Sequence, residues 1–350
     1  MHNITISGRS VGAGDPVFIV AELSANHRQD LGIALKTIEA MKDSGADAVK
    51  FQTYKSDTIT IDCHNDYFKI KQGTIWDGKT LHELYSEAFT PWEWFPALVE
   101  KALDVGLIWF SSPFDKTSVD FLENLNVPAY KIASFEITDL PLIKYVASKG
   151  KPVIISTGVA IFDEIAEALE TCKEAGNDKV AFLKCSSVYP TPYSEINLKT
   201  IQHIRETLNT VAGLSDHTPG ISAPIAAAAL GAHIIEKHFI LDKMLGGPDS
   251  AFSLEPAAFR RMVNGIRETE AAIGTVTYDL SSAVKKSREH ARSLFVIEDI
   301  TAHGAFTTEN VKSIRPAYGL APKHLAEILT KRAKVDIKKG TPLCWDIVED

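Results

Sequence analysis

Gly213-Leu214-Ser215-Asp216-His217 and Glu236-Lys237-His238-Phe239 frame the stretch on which the fold is decided. Short apolar strands over 210–214 and 232–235 run into the two motifs, and the uncharged, alanine-rich run 221–230 between them reads as a helix. Each strand gives out in a polar pair containing a histidine. Parallel neighbours joined by a crossover helix place such ends side by side on one face of a sheet. Two imidazoles meeting there, with Asp216 and Glu236 nearby, form half of an open metal site. The alternative is two unrelated histidines that cap strands, and the rest of the chain decides between them.

Outward from this stretch, apolar runs rich in β-branched residues alternate with helical patterns. Strands are expected over 17–21, 46–51, 107–110, 129–132, 152–155 and 180–183, before the two already named. Helical spacing follows most of them: Leu31, Ala34, Leu35, Ile38 and Met41; Trp94, Leu98, Val99 and Ala102; then 117–124, 140–147, Ile161 to Cys172, 198–208 and 256–273. Strand–helix alternation predicts a parallel sheet, and eight such units predict closure into a (β/α)8 TIM barrel; an open doubly wound sheet is the runner-up. The long irregular stretch 53–90, holding Trp76, Asp77 and Gly78, has the length of a functional loop.

The chain's 350 residues suffice for a large domain and a small one. The balance of 37 Lys+Arg against 45 Asp+Glu leaves a formal charge of −8. These charges are scattered without a basic stripe, which argues against nucleic acid and membrane surfaces as partners. No apolar run approaches the about 18 residues of a spanning helix, and residues 1–10, with His2, Asn3 and Arg9, do not resemble a signal peptide. Cys63, Cys172, Cys185 and Cys344 lie far apart without a CxxC pattern. A soluble protein of a reducing compartment, the cytoplasm, is expected.

Polar residues collect where strands become loops: Glu22 and Ser24; Lys50 and Gln52; Ser111 and Ser112; Lys131, Ser134 and Glu136; Ser156 and Thr157; Lys184, Ser186 and Ser187; His217; His238. In a barrel these ends face one mouth. Lys50, Lys131 and Lys184 among several hydroxyls suit an anion with phosphate-like charge, although each lysine could equally pair with Glu22, Glu136 or Glu236. Neither GxGxxG nor GxxxxGK[ST] occurs, so such a phosphate belongs to a small substrate. The loop Gly246-Gly247-Pro248-Asp249-Ser250 is either a ligand-approaching loop or an ordinary turn, and Cys185 reads as a buried structural thiol.

From residue 281 the character changes. Residues 281–291 read as a polar linker or exposed helix. Residues 292–350 form a small unit with a strand over 293–296 and a helix near 322–329, leaving 1–280 to the barrel. So small a unit buries little core and is expected to dock on something.

The ordered motifs resemble the sialic acid synthase family. They include Ala21-Glu22-Leu23-Ser24-Ala25-Asn26-His27, Lys50-Phe51-Gln52-Thr53-Tyr54, Ser111-Ser112-Pro113-Phe114 and Tyr130-Lys131-Ile132-Ala133-Ser134-Phe135-Glu136. Ser156-Thr157-Gly158, Tyr189-Pro190 and the two histidine motifs complete the set, and Arg292-Ser293-Leu294 with Ile314-Arg315-Pro316 resemble the antifreeze-like (SAF) domain of those synthases. The resemblance implies condensation of phosphoenolpyruvate with an acyclic amino-sugar aldehyde to a nine-carbon 2-keto acid. It implies a divalent ion, commonly manganese, with magnesium or cobalt as alternatives, held by His217 and His238. Lys50, Ser112, Lys131, Ser134, Ser156 and Ser186 match positions that hold phosphate and carboxylate, with Lys184 beside them; Glu136 is the candidate for stabilising the cation or taking the water's proton. Glu22 matches a carboxylate directed to metal-bound water and sugar hydroxyls, and the Gln52 amide would hold a water behind it. Family members form domain-swapped homodimers in which an arginine, here Arg315, crosses to the partner's barrel. Leu23 to His27, Trp76-Asp77-Gly78, Glu83-Leu84-Tyr85 and Gly247-Pro248-Asp249-Ser250 are subtype marks; Asp249 from the last of them and Tyr189 from the family motif Tyr189-Pro190 join the substrate-binding set. Sialic acid synthases carry asparagine where this chain has Ser187, which favours a sugar other than N-acetylmannosamine, read as 2,4-diacetamido-2,4,6-trideoxy-L-altrose. An N-acetylneuraminate or legionaminate synthase, and a non-catalytic sugar-binding protein, are the alternatives.

Overall fold

The computed structural model describes residues 3–71, 73 and 76–349; Met1 and His2 of the N-terminal stretch, Gln72, Thr74 and Ile75 of the long loop, and Asp350 lie outside them. Twelve strands are present among the described residues: β1 Ile4–Ile6, β2 Arg9–Val11, β3 Phe18–Glu22, β4 Ala48–Thr53, β5 Ile108–Pro113, β6 Tyr130–Ile132, β7 Val153–Ser156, β8 Val180–Lys184, β9 Val211–Asp216, β10 Ile234–His238, β11 Ser293–Val296 and β12 Val311–Ile314. The α-helices are α1 Leu31–Asp43, α2 Ser56–Ile59, α3 Leu81–Ala88, α4 Phe95–Asp104, α5 Lys116–Asn124, α6 Leu140–Ala147, α7 Phe162–Glu174, α8 Lys199–Leu208, α9 Ser222–Ala229, α10 Pro256–Ile273, α11 Ser282–Arg288 and α12 Leu325–Ile328.

Strands β3 to β10 close into a parallel eight-stranded barrel, with β10 pairing both β9 and β3. The TIM-barrel expectation holds, and the open sheet is excluded. Closure follows from strands buried on both faces: β3, β6, β7, β9 and β10 are buried throughout, as crossover helices on the outside and packed side chains inside require. Side chains such as Phe18, Phe51, Phe110 and Phe182 lose all exposure, each contributing about 1.5–3 kcal/mol by burial. Helix starts are marked as sequence rules demand, with the Asp30 side chain accepting from Ile33 N at 3.0 Å and Asp139 from Leu142 N at 3.0 Å.

Two features depart from the sequence reading. A short antiparallel hairpin, β1 with β2, precedes the first barrel strand and buries Ile4, Ile6 and Val11. The stretch 53–90 is not irregular throughout: it contains α2 and α3. Helix α3 starts at a capping box, in which Thr80 Oγ1 accepts from Glu83 N and Glu83 Oε2 accepts from Thr80 N. That box was present in the sequence as Thr80-Leu81-His82-Glu83.

The chain divides into two compact units, Met1–Gly274 and Thr275–Asp350. Within the second, β11 and β12 pair antiparallel around a core of Leu294, Val296, Ile300, Phe306, Val311, Ile328 and Leu343. Helix α11 falls within the stretch expected as a linker or exposed helix.

Candidate active site

In a strand, successive side chains point to opposite faces. On β10, Glu236 and His238 therefore turn into the barrel and Lys237 turns out; on β9, Ser215 turns in, and His217 follows directly after the strand's end. Glu236 becomes the hub of a buried polar network. Its Oε1 accepts from Ser215 Oγ at 2.9 Å and Lys131 Nζ at 3.1 Å, and lies 3.4 Å from Lys50 Nζ. Lys50 reaches Glu22 Oε2 at 2.6 Å, and Gln52 Nε2 donates to Glu22 Oε1 at 3.1 Å and to Ser24 Oγ at 3.0 Å. Gln52 thus fixes a carboxylate directly.

Burial alone would raise both acids. For Glu22 it wins, holding the carboxyl at about 7 despite Lys50. For Glu236 the ammonium groups of Lys131 and Lys50 outweigh burial and hold it at about 2. Burial lowers Lys131, whereas Glu22 and Glu236 more than offset it at Lys50, which is raised. Two ammonium groups thus stand against one firmly ionised carboxylate, which leaves positive character for an incoming anion.

Ser112 on β5 is the register partner of Gln52, and Ser156 on β7 lies two residues beyond the register partner of Lys131; the Oγ atoms of both are buried with no hydrogen-bond partner among the described residues. Buried hydroxyls are ordinarily satisfied, so two orphaned ones on the inward parity of strands adjoining those that carry Lys50 and Lys131 fit an oxyanion. Ser134 Oγ accepts from Val159 N at 3.1 Å and from Ser187 Oγ at 3.0 Å. Glycine at 158 permits this close packing: a Cβ there would stand 2.4 Å from Ser187 Oγ, 2.6 Å from Cys185 Sγ and 2.7 Å from Ser134 Oγ, and those side chains would have to shift. Ser186 offers its carbonyl, not its hydroxyl, to a partner already in the structure: His217 Nδ1 donates to it at 3.0 Å. Glu136 lies on the same turn as Ser134, and burial raises its carboxyl to about 7 against the pull of Lys131.

The two histidine rings lie 5.3 Å apart between centroids. With metal–nitrogen bonds of about 2.1 Å, two imidazoles on one cation sit with centroids roughly 4.5–6.5 Å apart, depending on the angle between them. The bond to Ser186 leaves the other His217 nitrogen available to coordinate, and His238 Nδ1 is buried without a hydrogen-bond partner among the described residues. Burial lowers His217 to about 4 and His238 well below its ordinary value, so both rings are neutral near pH 7, as ligands must be. The pair fits a divalent ion. No cluster of three or more His, Cys, Asp or Glu side chains suited to a metal is found among the described residues, and the two histidines are the candidate ligands.

Of the residues around the pair, Tyr189 and Asp249 were expected in the substrate-binding set, whereas Phe252 was not singled out in the sequence. Phe252 lies edge-on to both imidazoles, at 4.9 Å from His238 and 5.8 Å from His217, and Tyr189 closes the wall at 4.5 Å from His217. Ser24 takes a left-handed backbone (φ 46°) that sets its hydroxyl to donate to Asp249 Oδ2. Asp249 itself lies 3.8 Å from His238 Nδ1. No local sequence signal announces Phe252, whereas Glu236 was recognisable from strand parity. Lys184 does not join the two lysines on Glu236: its Nζ donates to the Cys185 carbonyl at 2.7 Å. Arg315 lies in the second unit, exposed, directly after β12.

Comparisons with known proteins accord with this geometry. The NeuB family model matches residues 37–278, and the SAF domain model matches 291–349. The chain is 47% identical over 327 residues to a pseudaminic acid synthase of Campylobacter jejuni, covering 93% of this chain and 95% of that protein. It is 35% identical to an N,N'-diacetyllegionaminic acid synthase of Legionella pneumophila, covering 97% and 96%. Among solved structures, an N-acetylneuraminic acid (sialic acid) synthetase of Leptospira borgpetersenii in complex with citrate superposes with a TM-score of 0.73 at 30% identity, covering 82% of this chain and 95% of that one. A closed barrel whose mouth gathers two lysines, two acids and two imidazoles, followed by a SAF domain, is thus matched in sequence and fold along nearly its whole length, and the chain belongs to the NeuB family.

Proposed function

We propose that the protein condenses phosphoenolpyruvate with the acyclic form of 2,4-diacetamido-2,4,6-trideoxy-L-altrose and water, giving pseudaminic acid and phosphate. The observation that carries this reading is the single mouth in which Lys50 and Lys131 flank Glu236, with the orphaned hydroxyls of Ser112 and Ser156 on the adjoining strands. The sugar assignment is supported by the 47% identity to a pseudaminic acid synthase against 35% to a legionaminic acid synthase, and by Ser187 in place of asparagine.

Lys131, Lys50, Ser112, Ser134 and Ser156 bind the phosphate and carboxylate of phosphoenolpyruvate and hold its C3 toward the aldehyde. A bond forms from C3 to the aldehyde carbon, whose oxygen takes up a proton, and cationic character develops at C2. Water adds at C2 and gives its proton to Glu136, whose raised carboxyl suits exchange near neutral pH. The C2–O bond to phosphate then breaks as the new C2 hydroxyl passes its remaining proton to the departing phosphate, leaving the 2-keto acid, and the proton taken by Glu136 replaces the one taken up by the aldehyde oxygen. Glu22, oriented by Lys50 and Gln52, faces the sugar hydroxyls. His217 and His238 would hold the divalent ion, manganese or alternatively magnesium or cobalt. When bound, that ion supplies Lewis acidity toward the aldehyde oxygen.

The assembly reading completes the proposal. Two copies exchange their C-terminal units, so that Arg315 of the partner subunit meets the sugar's N-acyl group, and the enzyme works in the cytoplasm. No helix among the described residues is long and apolar enough to cross a membrane.

The test is phosphate release and product mass from the purified protein with phosphoenolpyruvate, Mn(II) and three aldehydes in parallel: the altrose derivative, N-acetylmannosamine and the legionaminate precursor. The altrose derivative is expected to show the highest kcat/KM. A preference for either of the others removes the sugar assignment, and release with none of them favours a non-catalytic sugar binder.

A further inference from the structure

Lys237 and Asp216 face away from the mouth, toward the helical layer, and both side chains are fully buried. Lys237 Nζ donates to Asp216 Oδ2 at 2.5 Å and to the Thr218 carbonyl at 2.5 Å. Asp216 in turn accepts from Thr218 N at 3.0 Å and from Thr218 Oγ1 at 3.1 Å. One ammonium group therefore grips the chain on both sides of His217, and it is carried by the residue immediately before His238.

The sheet gives this contact its significance. The β9–β10 register runs Ile234↔Gly213, Ile235↔Leu214, Glu236↔Ser215 and Lys237↔Asp216, and there it stops. His217 and His238 lie just beyond the last rung, where no ladder bond between their strands fixes their separation. On the outward face the preceding rung is the apolar pair Ile235 and Leu214, both fully buried. An apolar pair is thus what this surface accommodates one step earlier. Burying a lysine and an aspartate costs desolvation that packed apolar side chains avoid, so a buried pair is weak support for stability and better suited to fixing one arrangement.

We propose that Lys237 and Asp216, with the Thr218 backbone, are positioning residues that clamp the ends of β9 and β10 and thereby set the spacing of the two histidines for a divalent cation. This rests on the metal-site reading of His217 and His238 given above. Side chains that orient metal ligands from behind ordinarily influence affinity by about 10–100-fold when removed.

The test uses the full chain freed of metal, with Mn(II) as the probe, and bound ion followed by electron paramagnetic resonance. Lys237→Met is expected to weaken Mn(II) binding by about 10–100-fold, with the affinity for phosphoenolpyruvate in the absence of metal unchanged. The single variant leaves a buried unpaired aspartate and is expected to lose thermal stability. The double variant Asp216→Leu/Lys237→Met removes both charges; it is expected to recover much of that stability while keeping the weakened Mn(II) affinity. Wild-type Mn(II) affinity in either folded variant overturns the clamp and leaves the metal site standing. Absence of Mn(II) binding in the wild type overturns the metal site and the clamp together. Loss of fold in both variants would make the pair a stability element and also overturn the proposal.

Discussion

Replacing Glu136 with glutamine probes the water-activating role and the electrostatics together. The Glu136 carboxyl is held at about 7 against an ordinary 4.5, with burial the largest cause and Lys131 opposing it. In the unfolded chain the carboxyl returns to its ordinary value. Between about 4.5 and about 7 the native state therefore holds a proton that the unfolded state has released, and stability falls as pH rises through this window. Below it the contribution is intact; above it the loss is constant, at about 3 kcal/mol for this displacement. Glu136→Gln has no carboxyl to ionise, so its stability minus that of wild type should grow by about 2–3 kcal/mol between pH 5 and pH 8. Urea unfolding at several pH values measures that difference. In the same variant kcat should drop by about 10²–10⁴-fold, and the rising limb of the wild-type pH–rate profile near pH 7 should vanish. A stability difference that stays flat with pH would refute the buried-acid reasoning, and an unchanged rate profile would refute the proton-transfer role.

Four further outcomes are expected. His238→Ala should abolish turnover and Mn(II) binding while far-ultraviolet circular dichroism remains that of the wild type. Lys131→Met should lower kcat/KM for phosphoenolpyruvate by about 10²-fold, as loss of a charged hydrogen-bond donor from an anion site does. Arg315→Ala should be nearly inactive alone; mixed with His238→Ala subunits, random pairing should restore about a quarter of wild-type activity, because half of one mixed dimer is intact. No restoration would remove the exchanged arrangement. Ser187→Asn should shift the kcat/KM ratio toward N-acetylmannosamine in the phosphate-release assay.

The barrel was legible because its strands are continuous apolar runs separated by helical patterns, a signal that survives without tertiary information. The strand-end position of His217 and His238 was legible for the same reason. Their actual separation was not, because it depends on where the β9–β10 ladder stops and on a lysine and an aspartate whose buried pairing no local pattern announces. Glu236 shows the intermediate case. Alternation along β10 turned it inward, but only the fold brings Lys50 from β4 and Lys131 from β6 to the same oxygen. Lys184 obeyed the same strand-end rule yet bonds to its neighbour's carbonyl, since strand-end position limits where a side chain starts and not where a flexible one ends. The N-terminal hairpin escaped because three-residue strands carry too little periodicity to read.

In the proposed enzyme one barrel mouth holds a divalent ion on His217 and His238 and phosphoenolpyruvate on Lys50 and Lys131. Anomalous diffraction from crystals grown with Mn(II) and phosphoenolpyruvate tests it most directly. The expected result is a manganese peak about 2.0–2.2 Å from one nitrogen of each imidazole, with the phosphoenolpyruvate density reaching Lys131 and Ser156. A peak bound by only one of the histidines, or lying elsewhere on the molecule, would contradict it.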